Sequence, residues 1–289
     1  CSVRRQRQMC IRDRIMELKK SNGIHYFTAG EGKPLYLVHG FPDCPENFEH
    51  QIKFFADEGF QVIAPYLPGY HPEDDALDTY QTLRVSEILI ELIESISGDK
   101  KVFLYGHDWG APIVYGITQQ RPDLIAKFSA ASVPHGMSFQ AALLTNSEQQ
   151  RKSWYMFFFQ LPLADLAVPL NDFEFIHKLW QDWSPDLKTY KPYSDKVVSV
   201  LSKPNVLSNA LAYYRSAFQE SHQLERINMK SLEFISAKIQ PPCLYLHGKN
   251  DGCINFNLSE GMNEHFEELT IKILDCLLYT SDAADERNS

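Results

Sequence analysis

The segment Lys101-Val-Phe-Leu-Tyr-Gly106-His107-Asp108-Trp109-Gly110-Ala111 constrains the chain most: a β-branched and aromatic run drives into Gly-x-Asp-x-Gly and then into an apolar helix. A strand that turns this abruptly into a helix needs small residues on both sides of the central one, which is held exposed in a strained conformation. Gly106 and Gly110 supply them, and Asp108 sits at the tip. With Asp there instead of Ser, the nucleophile is expected to be ionised at neutral pH and to attack a saturated carbon with no base to deprotonate it. The product of such an attack is an alkyl ester on Asp108. A plainer reading of the same pentapeptide is a Gly-bounded turn with an Asp N-cap.

Composition bears on the argument only after the two ends are considered. Codons exist for Arg4 to Asp13 whose reverse complement, read in one frame, encodes Leu277 to Asp285. Two protein termini have no physical reason to be related in this way. Residues 1–14 and 276–289 resemble translated library adapter and are set apart from fold reasoning. The expectation is a natural start near Met16 and a gene cut at its 3′ end. The whole chain carries a formal charge of −9, which argues against nucleic acid or an anionic membrane as partner. No run approaches a transmembrane span, and Met16-Glu-Leu-Lys-Lys lacks the apolar core of a signal peptide. Cys44, Cys243 and Cys253 show neither metal-ligand spacing nor an even disulfide set. A reduced, soluble, cytoplasmic protein without metal or cofactor is expected.

Short apolar strands alternate with longer helical patterns, which predicts an α/β fold with a mostly parallel twisted sheet flanked by helices. Ile24–Ala29 and Pro34–His39 read as a strand pair joined by the turn Gly30-Glu31-Gly32. Further strands are expected at Gln61–Pro65, Val102–Tyr105, Lys127–Ser132, Cys243–His247 and Thr270–Leu274. Between Pro134 and about Ser231 the alternation gives way to an aromatic-rich helical stretch punctuated by proline. It predicts a lid inserted after a strand, over the carboxyl ends of the sheet. The expected division is a core at 15–136, a helical lid at 137–231 and the rest of the core at 232–275.

Two further motifs fall where a covalent mechanism needs them. His39-Gly40-Phe41-Pro42 follows a strand, where a backbone N–H can join that of the residue after the nucleophile to hold an oxyanion. The expected donors are Phe41 and Trp109, with His39 beside them. Asp251, in the loop after Tyr245-Leu-His-Gly248, stands where an acid that orients a histidine belongs in the chain order nucleophile, acid, histidine. An Asn-Asp-Gly tripeptide is equally an ordinary turn.

Together these residues resemble the α/β-hydrolase superfamily and, within it, the epoxide hydrolases, over essentially all of residues 22–275. The resemblance implies an α/β-hydrolase fold with an inserted helical lid and a small apolar epoxide as substrate. It also implies two lid tyrosines over the nucleophile. Tyr155, in Trp154-Tyr-Met-Phe-Phe-Phe-Gln-Leu-Pro162, resembles the first, and Tyr214, in Ala212-Tyr-Tyr-Arg215, the second. Two phenols with pKa near 10 can hydrogen-bond the oxygen of an opening epoxide and then protonate it. Tyr155 could instead be core packing. In a helix only one of Tyr213 and Tyr214 can point at the site, and the family pattern favours Tyr214. His107 is expected to pack beneath the elbow, and Tyr66 stands where the family usually has an acidic residue.

One departure is larger. The family continues past the last strand with Gly-His and an aromatic, and that imidazole is the base for water. No histidine here lies beyond His265, which reads as a surface residue of the helix before the last strand. The chain as written is therefore expected to lack the catalytic histidine, and also the helix that covers one face of the sheet. The nearest rival is haloalkane dehalogenase, which shares the Asp-Trp pair but usually has Asn where Phe41 stands. The rival from another class is a binding protein on the same fold.

Overall fold

The structure, a computed structural model, describes residues 16–234 and 237–275. The two segments read as adapter, 1–14 and 276–289, lie outside the described residues. Eight strands form one sheet: β1 (Glu17–Ser21), β2 (Ile24–Ala29), β3 (Lys33–Val38), β4 (Phe60–Pro65), β5 (Val102–His107), β6 (Ile125–Ala131), β7 (Cys243–Gly248) and β8 (Leu269–Leu274). Their order is β1-β2-β4-β3-β5-β6-β7-β8. The two pairings of β2, with β1 and with β4, are antiparallel, and all the others are parallel. The mostly parallel α/β architecture expected from the alternation is therefore present.

Strand order reverses at β3, which has β4 on one side and β5 on the other. In open parallel sheets such a switch point opens a crevice beyond the strands' carboxyl ends, because the connections leave in opposite directions. Here Val38 of β3 pairs with Gly106 of β5. The residues just past them, Phe41 and Asp108, are thereby brought together at the mouth of the crevice. β3 is buried at Pro34, Leu35, Tyr36, Leu37 and Val38 in succession, as a central strand covered on both faces must be.

Two strand readings need correction. Ile24–Ala29 and the strand at residues 33–38 are not partners: β2 pairs with β1 and β4, and β3 lies beyond β4. Gly30, Glu31 and Gly32 form a connection that passes over β4, with positive φ at both glycines. Local sequence suggests a hairpin, but tertiary pairing of the apolar β4 between them prevails. β1 was not anticipated, because Glu17-Leu-Lys-Lys-Ser21 is exposed along most of its length and has no alternating apolar face.

Helices α1 (Glu49–Asp57), α2 (Thr82–Ser97) and α3 (Gly110–Gln120) flank the sheet. The insert holds α4 (Gly136–Thr145), α5 (Ser147–Lys152), α6 (Trp154–Phe158), α7 (Leu163–Ala167), α8 (Leu170–Trp183), α9 (Lys191–Leu201), α10 (Val206–Phe218) and α11 (Glu225–Phe234). Three buried contacts anchor it to core loops: the Trp180 indole N–H donates to the Pro42 carbonyl at 2.8 Å, the Tyr213 hydroxyl to the Pro68 carbonyl at 2.8 Å, and the Gln149 amide to the Cys253 carbonyl at 3.0 Å. α11 instead lies on α2, with Lys230 2.8 Å from Glu87. Among the described residues no helix is long and apolar enough to cross a membrane.

His265 also departs from expectation. It ends a 3-10 turn, Met262–His265, is half-buried, and stacks on His135 with ring centroids 4.1 Å apart. On the sheet face opposite α3, the half-buried Phe103, Tyr105, Leu244 and Leu246 line an open groove of about 580 Å³.

Candidate active site

The site begins with an enforced turn. A Cβ on Gly106 would collide with the backbone carbonyl of Gly110, and one on Gly110 with the carbonyl of Val38. The strand and α3 therefore approach as only glycine permits, and Asp108 between them takes φ 52°, a left-handed conformation that costs a non-glycine residue on the order of 1–3 kcal/mol. Gly40 has a different role. A Cβ there would fall on the carboxylate of Asp108 and the backbone nitrogen of Trp109, so its absence makes the space the carboxylate occupies.

Asp108 is 7% exposed. Its Oδ1 accepts the backbone N–H of Phe41 and that of Trp109, each at 2.7 Å. These are the two donors expected of an oxyanion hole, and they hold one carboxylate oxygen of Asp108 itself. Burial pushes the carboxyl up to about 7, against the downward pull of the two N–H groups and with a further upward push from Asp251. Full ionisation at neutral pH, expected from the residue type, is therefore not what this environment gives: the desolvation of a closed pocket opposes the charge.

The carboxylate opens into a cavity of about 460 Å³ lined by Trp109, Tyr155 and Tyr214 together with apolar side chains that include Val133, Phe139, Leu143, Met156 and Ile254. Tyr155 comes from α6 and Tyr214 from α10, both 2% exposed, with ring centroids 5.7 Å apart and planes near perpendicular. Tyr214 also packs edge-on against Trp109 and Phe41, at 5.1 and 5.4 Å. Burial holds both phenols well above the ordinary value, and for both Asp108 adds to the effect. Tyr213 turns away, its hydroxyl spent on Pro68 and its ring against Tyr70 and Tyr80.

Asp251 is 4% exposed, in the loop after β7. Its Oδ1 accepts the N–H groups of Cys253 and Ile254 at 2.7 and 3.0 Å. Its Oδ2 lies 3.1 Å from His247 Nε2, yet that nitrogen also meets the Ile254 carbonyl at 3.0 Å and Oδ2 has no aligned hydrogen bond. We take the carbonyl as the partner of the ring N–H, which leaves Oδ2 an open acceptor. His247 is buried under the loop with Nδ1 2.6 Å from the Tyr245 hydroxyl.

His39 does not reach the cavity. Its Nδ1 meets the Gly40 carbonyl at 2.9 Å and its Nε2 accepts the Leu67 N–H at 3.0 Å. Burial lowers its pKa to about 4, so it is a neutral brace under the Phe41 loop. His107 is buried likewise, lowered to about 3 by burial and by the neighbouring His247 and His39. Tyr66 donates its hydroxyl to Glu46.

Two residues escaped sequence reasoning. Cys253 places its Sγ 3.3 Å from the Tyr155 hydroxyl, a contact with no signature in local sequence because it joins α6 to the Asp251 loop. Asp43, buried one residue past Pro42, is pushed up to about 7 by burial despite bonds from Asn47 and the Cys44 N–H. Its position directly after His39-Gly-Phe-Pro42 is a signal that could have found it.

Comparison with known proteins bears on this geometry. The model of the alpha/beta hydrolase fold family matches residues 33–277. The chain belongs to the α/β-hydrolase fold family. It is 29% identical over 260 residues to epoxide hydrolase 4 of Homo sapiens, covering 83% of this chain and 66% of that one. It is 30% identical over 204 residues to the AB hydrolase superfamily protein YfhM of Bacillus subtilis, covering 68% and 71%. Among solved structures, an epoxide hydrolase of Bacillus megaterium in complex with an inhibitor superposes with a TM-score of 0.77 at 25% identity, covering 94% of this chain and 97% of that one. A protein of Salmonella enterica described as a putative acyltransferase superposes with a TM-score of 0.81 at 18% identity, covering 94% of this chain and 92% of that one, a likeness of fold alone. This α/β hydrolase thus has epoxide hydrolases among its relatives, and it spans just under two thirds of the human relative's length.

Proposed function

We propose that this α/β hydrolase opens small, apolar epoxides by forming a covalent ester on Asp108. The observation that carries the reading is that Asp108 Oδ1 already occupies the two N–H donors of Phe41 and Trp109. The other oxygen is then the nucleophile, and the held oxygen becomes the ester carbonyl. As Oδ2 attacks an epoxide carbon, the C–O bond breaks and its electron pair leaves on the ring oxygen. Tyr155 and Tyr214 supply hydrogen bonds and a proton to that oxygen, which without them would be a very poor leaving group. The cavity lining is apolar apart from a few groups at the carboxylate, which suits an uncharged, lipophilic substrate.

The second half of the cycle needs water activated against the ester, with charge developing on the oxygen already held by Phe41 and Trp109. Asp251 is the acid we assign to orient a base, and its Oδ2 is an open acceptor for an imidazole N–H. None of the described residues lining the cavity is a histidine. On this reading ring opening calls on Asp108, Tyr155 and Tyr214, and completion to the vicinal diol requires a histidine facing Asp251.

Haloalkane dehalogenation is the second reading. The Trp109 indole, which lines the cavity beside Tyr214, favours it; Phe41 offers no side-chain donor to complete a halide site. Incubation with styrene oxide and, separately, with 1-bromobutane distinguishes the two. The expected result is loss of about one equivalent of epoxide per protein and no bromide; bromide release with the epoxide untouched would establish the second.

A further inference from the structure

Outside the cavity lining, where β2 meets the loop after β4, His25, His71 and Glu73 bring ligand atoms within 4.8 Å of one another. We propose that they form a binding site for a divalent transition metal of the zinc class. His25 projects from β2 and is 7% exposed, whereas His71 and Glu73 belong to the loop after β4. The imidazole rings stack with centroids 3.5 Å apart and planes 24° from parallel. His25 Nε2 lies 3.3 Å from the Glu73 carboxylate.

The surroundings are those that orient a ligating histidine. His25 Nδ1 faces Asp74 Oδ1 at 3.3 Å, and the other oxygen of Asp74 accepts the N–H groups of Gly69 and His71 at 3.1 and 3.2 Å. A carboxylate on one ring nitrogen fixes the tautomer and leaves the other to bind metal, the usual outer-shell arrangement at zinc. His25 thus offers Nε2, Glu73 an oxygen and His71 one ring nitrogen. If His71 binds through Nδ1, the hydrogen bond it gives up is a long one, from the Glu73 N–H at 3.3 Å. Two imidazoles and one carboxylate suit zinc, nickel or copper better than magnesium or calcium. Three protein ligands leave a fourth position for water. Both rings must tilt from their stack to converge on one ion, and His71, half-exposed on its loop, has room to do so.

A metal there would tie the loop to β2. The same loop carries Tyr70, whose ring packs edge-on against His39 at 5.0 Å and against Tyr213 at 5.8 Å. The ion would thus brace the loop that carries Tyr70, with ligands that are not among the residues lining the cavity.

The test is calorimetric titration of the tag-free, metal-stripped chain with zinc chloride, with melting temperature as second readout. One equivalent is expected to bind and to raise the melting temperature on the order of 5 °C at saturating zinc. His71→Ala should abolish that equivalent and the thermal gain. Glu73→Gln, at an exposed position, should weaken binding about tenfold or more for loss of a charged ligand. Thiol sites elsewhere would survive both substitutions. No zinc uptake by the parent, or uptake and thermal gain unchanged in His71→Ala, would overturn the proposal and leave His25 as an imidazole set between two carboxylates.

Discussion

Phe41 and Asp108 are 67 residues apart in sequence, yet the backbone N–H of one meets the carboxylate of the other at 2.7 Å. The register Val38 with Gly106 across β3 and β5 makes that contact, at the point where the sheet's strand order reverses. Gly40 makes it possible sterically, since any Cβ there would lie on the carboxylate. Gly40→Ala is therefore expected to slow ester formation by about 100-fold or more, the typical effect of losing one such donor. Single-turnover epoxide consumption checks it; a loss under about threefold would mean that the loop shifts without cost and that the Phe41 donor is dispensable.

The pH dependence follows from the carboxyl of Asp108, raised by burial to about 7. Only the carboxylate attacks, so ring opening should rise with pH through about 7 and level off above it. Stability runs the other way: a folded-state pKa above the unfolded value favours the fold at low pH, and that contribution is lost as pH rises from about 4 through 7. Asp108→Asn, which cannot ionise, should therefore melt higher than the parent at pH 8, by roughly 2–4 °C for each kcal/mol recovered. At pH 4 the difference should nearly vanish. Asp43 is raised in the same direction, so Asp108→Asn will remove only part of the parent's destabilisation at high pH. An equal difference at both pH values would show that charge burial is not its cause.

The adjacent tyrosines of α10 separate chemistry from packing. Tyr214 lines the cavity, while the Tyr213 hydroxyl donates to the Pro68 carbonyl. Tyr214→Phe should slow ring opening by about 10- to 100-fold, less than the roughly 100- to 10,000-fold of a lone positioned acid, since Tyr155 remains. Tyr213→Phe should leave the rate within about twofold and cost about 1–3 kcal/mol of stability, because a buried carbonyl loses its donor. Stopped-flow epoxide consumption and denaturant melts of the two variants distinguish them; equal rate effects would contradict the assignment of roles.

Much of this was legible in sequence for physical reasons that also mark its limits. Gly106 and Gly110 flank Asp108 because the turn tolerates nothing larger, so three residues reveal both a strand-helix junction and a candidate nucleophile. Strands β3 to β7 announce themselves because a central strand is apolar on both faces, whereas β8, at the far edge, shows through the alternation of Leu269, Ile271 and Ile273. β1 is polar and sits at an edge, so nothing in Glu17-Leu-Lys-Lys-Ser21 reports its pairing with β2. The expected hairpin of β2 with β3 failed because local turn chemistry cannot show that β4 inserts between them. Cys253 beside Tyr155 depends on how α6 docks on the Asp251 loop, and His247 beside Asp251 on how that loop folds back over β7, which are three-dimensional facts. The ionisation of Asp108 is likewise set by burial, which residue identity does not reveal.

The proposed covalent ester on Asp108 is open to intact-mass analysis of the protein after incubation with styrene oxide, followed by peptide mapping. The expected result is a gain of one epoxide mass on the peptide containing Asp108, turnover at or below one per protein, and no adduct in Asp108→Asn. An adduct that persists in Asp108→Asn, or many turnovers by the parent chain with no adduct trapped, would contradict it.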